Sequence, residues 1–599
     1  MDENRLITSY LSFSYNYSPH YILQSTLGNL QSLKTLCFQS PPFFSSPPLF
    51  RGIFIFFQKI FKYLLTNLPV CAAAITDCQK KQSVIAALWL RGTTCFSSIP
   101  KEVTHMLIHW QSHQEYLNFL HETKVHLDSS QRTRLLLEFG PVREKLRLLD
   151  LDPVMEYLSN FYSPAGRPTK NQTQIIRSLI LMVMLGFTSL TVWLLKLKAD
   201  RLLAALAGCP PDSLPPLGSY FDLMDRLWPQ SKDSQMTGRK DLFPKDKNGK
   251  PSKKPGKGKK LPNKHSGITD KMAAYALEHT EFPFHYEKRL QQVFRLAAIL
   301  PSLKDGLIPE DGLTLSGDGT CVHSHASPYG HKVCNCLEKG VTGCSCKRHF
   351  SDPDARWGWD SDEERFYFGH TLYMLCSRNA ELGVDLPLHI RFLDARRHDS
   401  VSAIVSLREF KTINPDIPVR DICLDSAHDN YATYGLCQEW NIRPFIDLNS
   451  NRGRPDSIPG TVSIDSDGTP LCMAGFRMVN WGYCEQKHSR KWRCPLACSK
   501  VDSCPCKEKC SSSPYGRCVY TKPDWDIRLY TPVPRGTEKY KEIYNNRTSC
   551  ERVNNRVLND YHLHDMGIHT RKRYSFFTMI IGICIHLDAR LKKLAKQEP

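Results

Sequence analysis

Between residues 313 and 448, short apolar runs alternate with helical patterns in an order that few folds can accommodate. Leu313-Thr314-Leu315-Ser316-Gly317-Asp318 reads as a strand ending in an acid, and Phe366 to Cys376 and Leu386 to Leu393 read as two more strands. Ser400 to Phe410 has a helical pattern, and Val419 to Asp425 is again a strand ending in an acid. Asn430 to Trp440 is helical, and Arg443 to Leu448 is a fifth strand. Three strands, a helix, a strand, a helix and a strand predict a mixed α/β sheet.

At 599 residues the chain is long for a single core, and its composition shifts mark several regions. Residues 1–100 form an extension rich in Ser, Pro and Phe, with one helical stripe at Ile53, Phe56, Phe57, Ile60, Phe61, Leu64 and Leu65. Residues 101–230 read as amphipathic helices, among them Arg134 to Leu137 and Val142 to Leu149. Within them, residues 166–228 form a unit with Thr169 or Asn171 as a cap for Ile175 to Leu185, then helices at Leu190 to Leu206 and Ser219 to Leu227. A turn at Gly186 makes this unit compatible with a helix-turn-helix DNA reader and equally with a plain bundle. Residues 231–270 repeat Lys, Pro and Gly and cannot bury a core, so they read as a basic flexible linker. Residues 271–599 follow with a helical approach at Tyr286 to Leu300 and then the sheet, interrupted by insertions at about 321–365 and 450–530.

The net charge is +19, and residues 232–264 hold twelve Lys and Arg against three Asp. Such a balance points to a polyanionic partner, through release of the counterions held by phosphates. Twenty-three cysteines without an N-terminal secretion signal read as reduced thiols or metal ligands rather than disulfides. Residues 178–195 are uncharged, but Gly186, Thr188, Ser189 and Thr191 divide them into two buried helices rather than one span. Tyr574 to Leu587 is too short to span and carries His586, so no membrane association is expected.

Chemistry concentrates on three acids. Lys541 to Leu558 is predicted to be a helix, and steps of three, four and seven residues put Tyr544, Arg547 and Glu551 on one face. Alone, that carboxylate among Arg547, Arg552 and Arg556 is as easily a solvated ion-pair network. Asp318 and Asp425 change its weight, because phosphodiester chemistry uses carboxylate oxygens to hold two Mg²⁺ ions about 3.5–4 Å apart.

The element order is that of a ribonuclease H-like fold. With Tyr544, Arg547 and Glu551, and with the segments RRHDSVSAIV, LDSAHDNYATY and FSDPDARWGWDS, the chain resembles the DDE transposases of bacterial insertion sequences, in the branch with a Tyr-x2-Arg-x3-Glu-x6-Lys motif. The resemblance runs over roughly residues 166–590 and departs from the motif at Leu558, where the family has Lys. It implies a ribonuclease H-like catalytic domain with two Cys-rich insertions, preceded by a helical N-terminal domain. It also implies that Asp318, Asp425 and Glu551 bind two Mg²⁺ ions, with Mn²⁺ as substitute, to cut the element's ends and join the 3′ ends to target DNA. Tyr544 and Arg547 would contact DNA phosphates, the role of the missing Lys would fall to Arg552 or Arg556 or activity would be impaired, and His428 would assist or, as is commoner for an Asp-x-x-His turn, be structural. The implied partners are double-stranded DNA and a second copy of the chain, in a bacterial cytoplasm at the nucleoid. Leu558 and the extension keep open an alternative, a repurposed DNA-binding protein that no longer cuts.

The cysteines fall into two groups. Cys334, Cys336, Cys344 and Cys346 have paired spacing suited to tetrahedral zinc, with Cys321, His323, His325, His331 and His349 nearby. Cys472, Cys484, His488, Cys494, Cys498, Cys504, Cys506, Cys510 and Cys518 form a second group, in a region expected to lack a core of its own. Trp357, Trp359, Trp481 and Trp492 are expected to be buried more readily than to stack on bases.

Overall fold

The computed structural model describes residues 105–229 and 267–597, apart from 108, 284, 347, 362, 451–462, 507 and 509. The extension with its stripe at 53–65, and the basic segment up to residue 266, lie outside the described residues. Val103–Pro599 form one compact unit.

Short helices between 113 and 159 lead into α1 (Gln172–Met184), α2 (Leu190–Ala199) and α3 (Leu217–Leu227). Asn171 occupies the cap position of α1 in a left-handed conformation, but its side chain makes no capping hydrogen bond. Gly186, at φ 71°, makes the turn between α1 and α2, so residues 178–195 are two helices as expected. The helix expected over 190–206 breaks at Asp200, whose side chain accepts from Leu202 N–H and starts a separate short helix, Arg201–Leu206. After the basic segment, α4 (Lys288–Phe294) continues through a π turn, Arg295–Ile299, into Leu300–Lys304.

The main sheet contains β1 (Leu313–His323), β2 (Arg356–Asp360), β3 (Arg365–Asn379) and β4 (Val384–Asp394). α5 (Asp399–Ile413), β5 (Val419–Leu424), α6 (Tyr431–Glu439) and β6 (Arg443–Ile446) follow. The spatial order is β6-β5-β1-β3, with β4 and β2 lying end to end along the far edge of β3. Pairings β1–β3, β3–β4 and β3–β2 are antiparallel; β1–β5 and β5–β6 are parallel. The protein is therefore mixed α/β, as expected. β1 does not end at Asp318; it runs five residues further, because Asp318 to His323 stay in register with β3 from Met374 to Gly369. An acid can sit mid-strand here because β3 outlasts β5, leaving the far half of β1 paired on one side only.

A second antiparallel sheet, β7 (Val479–Cys484), β8 (Ser489–Arg493) and β9 (Cys518–Thr521), forms the insertion after β6. It has its own apolar cluster of Cys472, Met478, Trp492, Val519, Leu529 and Tyr530, contrary to the expectation that this region lacks one. Bulky side chains widely spaced in sequence are gathered by the hairpin.

The chain then makes α7 (Glu538–Tyr544), a 3₁₀ turn Asn545–Arg547, α8 (Thr548–Asn555), a π turn Arg556–Asp560, and finally α9 (Arg571–Gln597). At 27 residues α9 is long and apolar enough to cross a membrane, unlike the shorter segment expected, but 83% of its apolar window is buried inside the protein. His586 is accommodated there by Ser302 Oγ at 2.7 Å and Pro387 O at 2.8 Å. Residues of α1, α3, α9 and the sheet belong to one continuous core, so the helical region is packed onto the main sheet.

Candidate functional site

Asp318 and Asp425 are brought together by neighbouring parallel strands. Asp318 lies in β1 two residues beyond the last parallel pair with β5, Ser316↔Cys423. Asp425 follows β5 immediately and caps a 3₁₀ turn, Ser426–His428, by accepting from Ala427 N–H at 3.1 Å. A strand that stops at a cap exposes the carboxylate at the sheet's end, next to the acid on β1.

Two more side chains complete this end of the sheet. His428 is fully buried, with Nδ1 2.5 Å from Asp425 Oδ1 and Nε2 3.0 Å from the Tyr373 hydroxyl. Asp399, in the first turn of α5, approaches Gly319 so closely that an added Cβ there would lie 2.4 Å from its Oδ1. Gly319 and Asp318 point to opposite faces of β1, so Asp399 nears Asp318 across the strand. Asp399 is not among the acids singled out by the sequence pattern, although it stands in the RRHDSVSAIV segment. The signal was a glycine directly after a strand acid, which leaves room for a third carboxylate.

Glu551 arrives from the other side of the chain. α8 packs on the sheet with Cys550 Sγ donating to Ser316 O at 3.1 Å, and the next residue, Glu551, is exposed. The expected single helix over 541–558 is broken at 545–547, yet Arg547 still reaches Glu551, at 2.6 Å. Tyr544 stacks on Tyr540 with centroids 5.6 Å apart. Arg552 pairs with Asp385 at 2.6 and 2.8 Å, and Arg556 with Asp588 at 2.5 Å. Glu551, Arg552, Arg556 and Lys592 line an open cleft of about 640 Å³ beside α9. Leu558 is buried in the main core at 8% exposure.

The electrostatics tie the acids together. Burial, reinforced by the charges of Asp399 and Asp425, pushes the Asp318 carboxyl up to about 7. Burial likewise raises Asp399, with Asp425 adding to it. Burial works against the charged forms of Asp425 and His428, but their mutual hydrogen bond prevails, holding Asp425 down and His428 up. Burial opposes the Arg547 charge, yet Glu551 keeps it raised, and the field of Arg547 reaches Asp318 and Asp425 too. The arrangement is three aspartates in one another's fields and a guanidinium that pairs with a fourth acid, Glu551 on α8, while its field extends to Asp318 and Asp425. Carboxylate oxygens are the ligands a divalent cation prefers, but among the described residues these acids do not converge as a ligand set the way Cys334, Cys336, Cys344 and Cys346 do.

The first cysteine group converges. The Sγ atoms of Cys334, Cys336, Cys344 and Cys346 all lie within 4.8 Å of one another and could hold a metal ion. Among the described residues, the second group forms no set this tight. Trp357, Trp359 and Trp481 are exposed, contrary to expectation, whereas Trp492 is buried with its indole N–H donating to Thr521 Oγ1 at 3.0 Å. The exposed three lie on strands with one face open to solvent, a circumstance composition does not reveal. No protein-family model matches the chain, and no curated protein matches it.

Proposed function

We propose that the chain is a divalent-metal-dependent enzyme that cuts and rejoins DNA, of the DDE transposase kind, built on a ribonuclease H-like sheet. The observation that carries this reading is the meeting of Asp318 and Asp425 on adjacent parallel strands, with Arg547 linking them electrostatically to Glu551. The sheet order supports it: β4-β3-β1-β5-β6, three antiparallel strands followed by two parallel ones, with α5 and α6 as the connecting helices.

Asp318, Asp425 and Glu551 would hold the Mg²⁺ pair. When bound, the ions would activate water and then a 3′-hydroxyl, and stabilise the charge that develops on the scissile phosphate. The protein's own groups do the rest. His428, anchored by Tyr373, orients the Asp425 carboxylate and keeps one of its oxygens engaged. Asp399 raises the negative potential behind β1. Arg547 serves as the internal counter-charge of the acids and, once Glu551 turns to a cation, is free to face a DNA phosphate. Arg552, Arg556 and Lys592 line the cleft together with Asp385, Glu551 and Asp588, so Arg552 and Arg556 would have to leave their pairs with Asp385 and Asp588 to meet a DNA backbone. The net charge of +19 suits double-stranded DNA as the partner, and joining two ends calls for a second copy of the chain in a bacterial nucleoid.

A second reading, a DNA-binding protein that no longer cuts, is favoured by the Arg547–Glu551 pair at 2.6 Å and by Leu558, which the core holds where the resemblance puts a lysine. Incubation with DNA carrying the sequences that flank its reading frame, plus Mg²⁺ or Mn²⁺, separates the two. Strand cleavage by the wild type, and its loss in Asp318→Asn, Asp425→Asn and Glu551→Gln with DNA binding retained, is the expected result. Cleavage unchanged in all three variants would refute the assignment, and binding without cleavage by the wild type would establish the second reading.

A further inference from the structure

The loop between β1 and β2 is built inside out. From residue 331 to 346, every described residue is exposed except Cys334, Cys336 and Cys344. Its larger apolar side chains face solvent: Tyr329, Val333, Leu337 and Val341 are all about half exposed or more. Its regular structure is a two-residue ladder, His331↔His349 and Lys332↔Arg348, with a few turn bonds such as Val341 N–H to Cys336 O at 2.8 Å. Two rungs without a hydrophobic cluster do not hold a loop of this length in one conformation. What points inward is sulfur.

Cys334 and Cys344 have their Sγ atoms 3.5 Å apart, and Cys336 and Cys346 theirs 3.6 Å apart. A disulfide would bring each pair to about 2.0 Å. A tetrahedral ion with Zn–S bonds of about 2.3 Å separates its ligand sulfurs by about 3.8 Å, close to the spacing found. The two Cys-x-Cys turns face each other, so each contributes one sulfur to each close pair.

We infer that Cys334, Cys336, Cys344 and Cys346 bind one Zn²⁺ ion as four thiolates, and that this ion replaces a hydrophobic core for the tip of the loop. Each thiol releases its proton as it ligates, so the site fills more readily as pH rises. The base of the loop is fastened separately. Ser324 Oγ donates to Asp352 Oδ2 at 2.7 Å, the same carboxylate lies 3.0 Å from His370 Nε2, and His325 Nε2 meets His564 O at 2.9 Å. Zinc therefore orders residues 331–346 without being needed for the sheet or for the acids on it, and the inference stands whether or not the chain cuts DNA.

Metal content and trypsin accessibility of the full chain test this together. Wild type purified with reductant and dialysed against metal-free buffer is expected to hold about one more equivalent of zinc by plasma mass spectrometry than the Cys336→Ser/Cys346→Ser variant. In the wild type, chelation by a strong zinc chelator is expected to open tryptic cleavage at Lys332 and Lys339, with far-UV circular dichroism nearly unchanged, and added Zn²⁺ to close it again. Cys346→His, which replaces the thiolate by a nitrogen ligand, is expected to retain zinc and protection, and so guards against a variant that merely misfolds. Equal zinc in wild type and double variant, iron in place of zinc, two disulfides in the freshly reduced protein, or tryptic cleavage insensitive to metal would each overturn the inference.

Discussion

Asp318 carries a pH dependence with a definite sign. Burial and the neighbouring Asp399 and Asp425 charges push its carboxyl up to about 7, well above the range of an unfolded aspartate near 4. Without metal, the folded protein therefore binds more protons than the unfolded chain between about pH 4 and 7. The stability this group contributes is complete below pH 4 and is lost as pH rises through about 7. Asp318→Asn removes the titration, so the metal-free variant is expected to exceed the wild type in stability at pH 8, on the order of 1 kcal/mol, and to match it near pH 4. Mg²⁺ should reverse the order at pH 8, since it stabilises only the protein whose carboxylate it binds. Urea unfolding of both proteins at the two pH values, with and without Mg²⁺, measures this. A wild type that is the more stable at pH 8 without metal would show that Asp318 is not under repulsion.

Among the elements, a buried electrostatic joint ties α5 to β4 and α4. Arg391 of β4 is buried between Glu287, at the start of α4, and Glu409 of α5, to whose Oε2 its Nε comes within 3.1 Å. His285 and His389 approach the same Glu409 oxygen at 3.3 and 3.4 Å. Burial pushes His285 down to about 4, so near neutrality it is an uncharged neighbour and Arg391 is the main counter-charge. Removing Arg391 would leave Glu409 buried without a cationic partner near neutrality and Glu287 with only Arg571, 3.7 Å from its Oε1, which costs more than the pair itself contributes. Arg391→Ala is expected to lose about 3–5 kcal/mol, read from the urea midpoint, and Arg391→Ala with Glu287→Gln and Glu409→Gln to recover part of it. This joint also marks where sequence reading stops. The runs at 366–376, 386–393 and 419–425 were legible as strands because the sheet is covered on both faces and needs continuous apolar residues. The length of β1 was not, because Asp318 to His323 look polar and are held by β3 rather than by their own pattern. The place of Asp425 at a strand end was legible, whereas Asp399 comes up against Gly319, a gap that only the folded register creates. The break at 545–547 left the Arg547–Glu551 contact intact, since the two residues remain four apart across it.

For the whole molecule, α9 is the member that joins helices to sheet. Its Cys584 Sγ approaches Ile180 O of α1 at 3.8 Å, its Arg590 donates to Leu148 O at 2.8 Å, and its Tyr574 packs 5.8 Å, ring to ring, from Phe392 of β4. So close a passage requires a residue without a side chain at the crossing. An added Cβ at Gly582 would lie 2.8 Å from the Phe294 ring of α4 and 3.0 Å from Ile390 Cδ1 of β4, both buried. Two effects of Gly582→Ala oppose each other. Helix propensity favours Ala by about 1 kcal/mol, while overpacking a well-filled core costs about 1–3 kcal/mol. The neighbours are pinned on two different elements, so neither yields cheaply, and overpacking should prevail. Gly582→Ala is therefore expected to destabilise by about 1 kcal/mol and Gly582→Leu by considerably more, measured by thermal and urea unfolding, with tryptic release of the helical region preceding loss of the sheet. A stabilised Gly582→Ala protein would mean that α9 lies farther from β4 than these distances place it, and that the helical region is held to the sheet by other contacts.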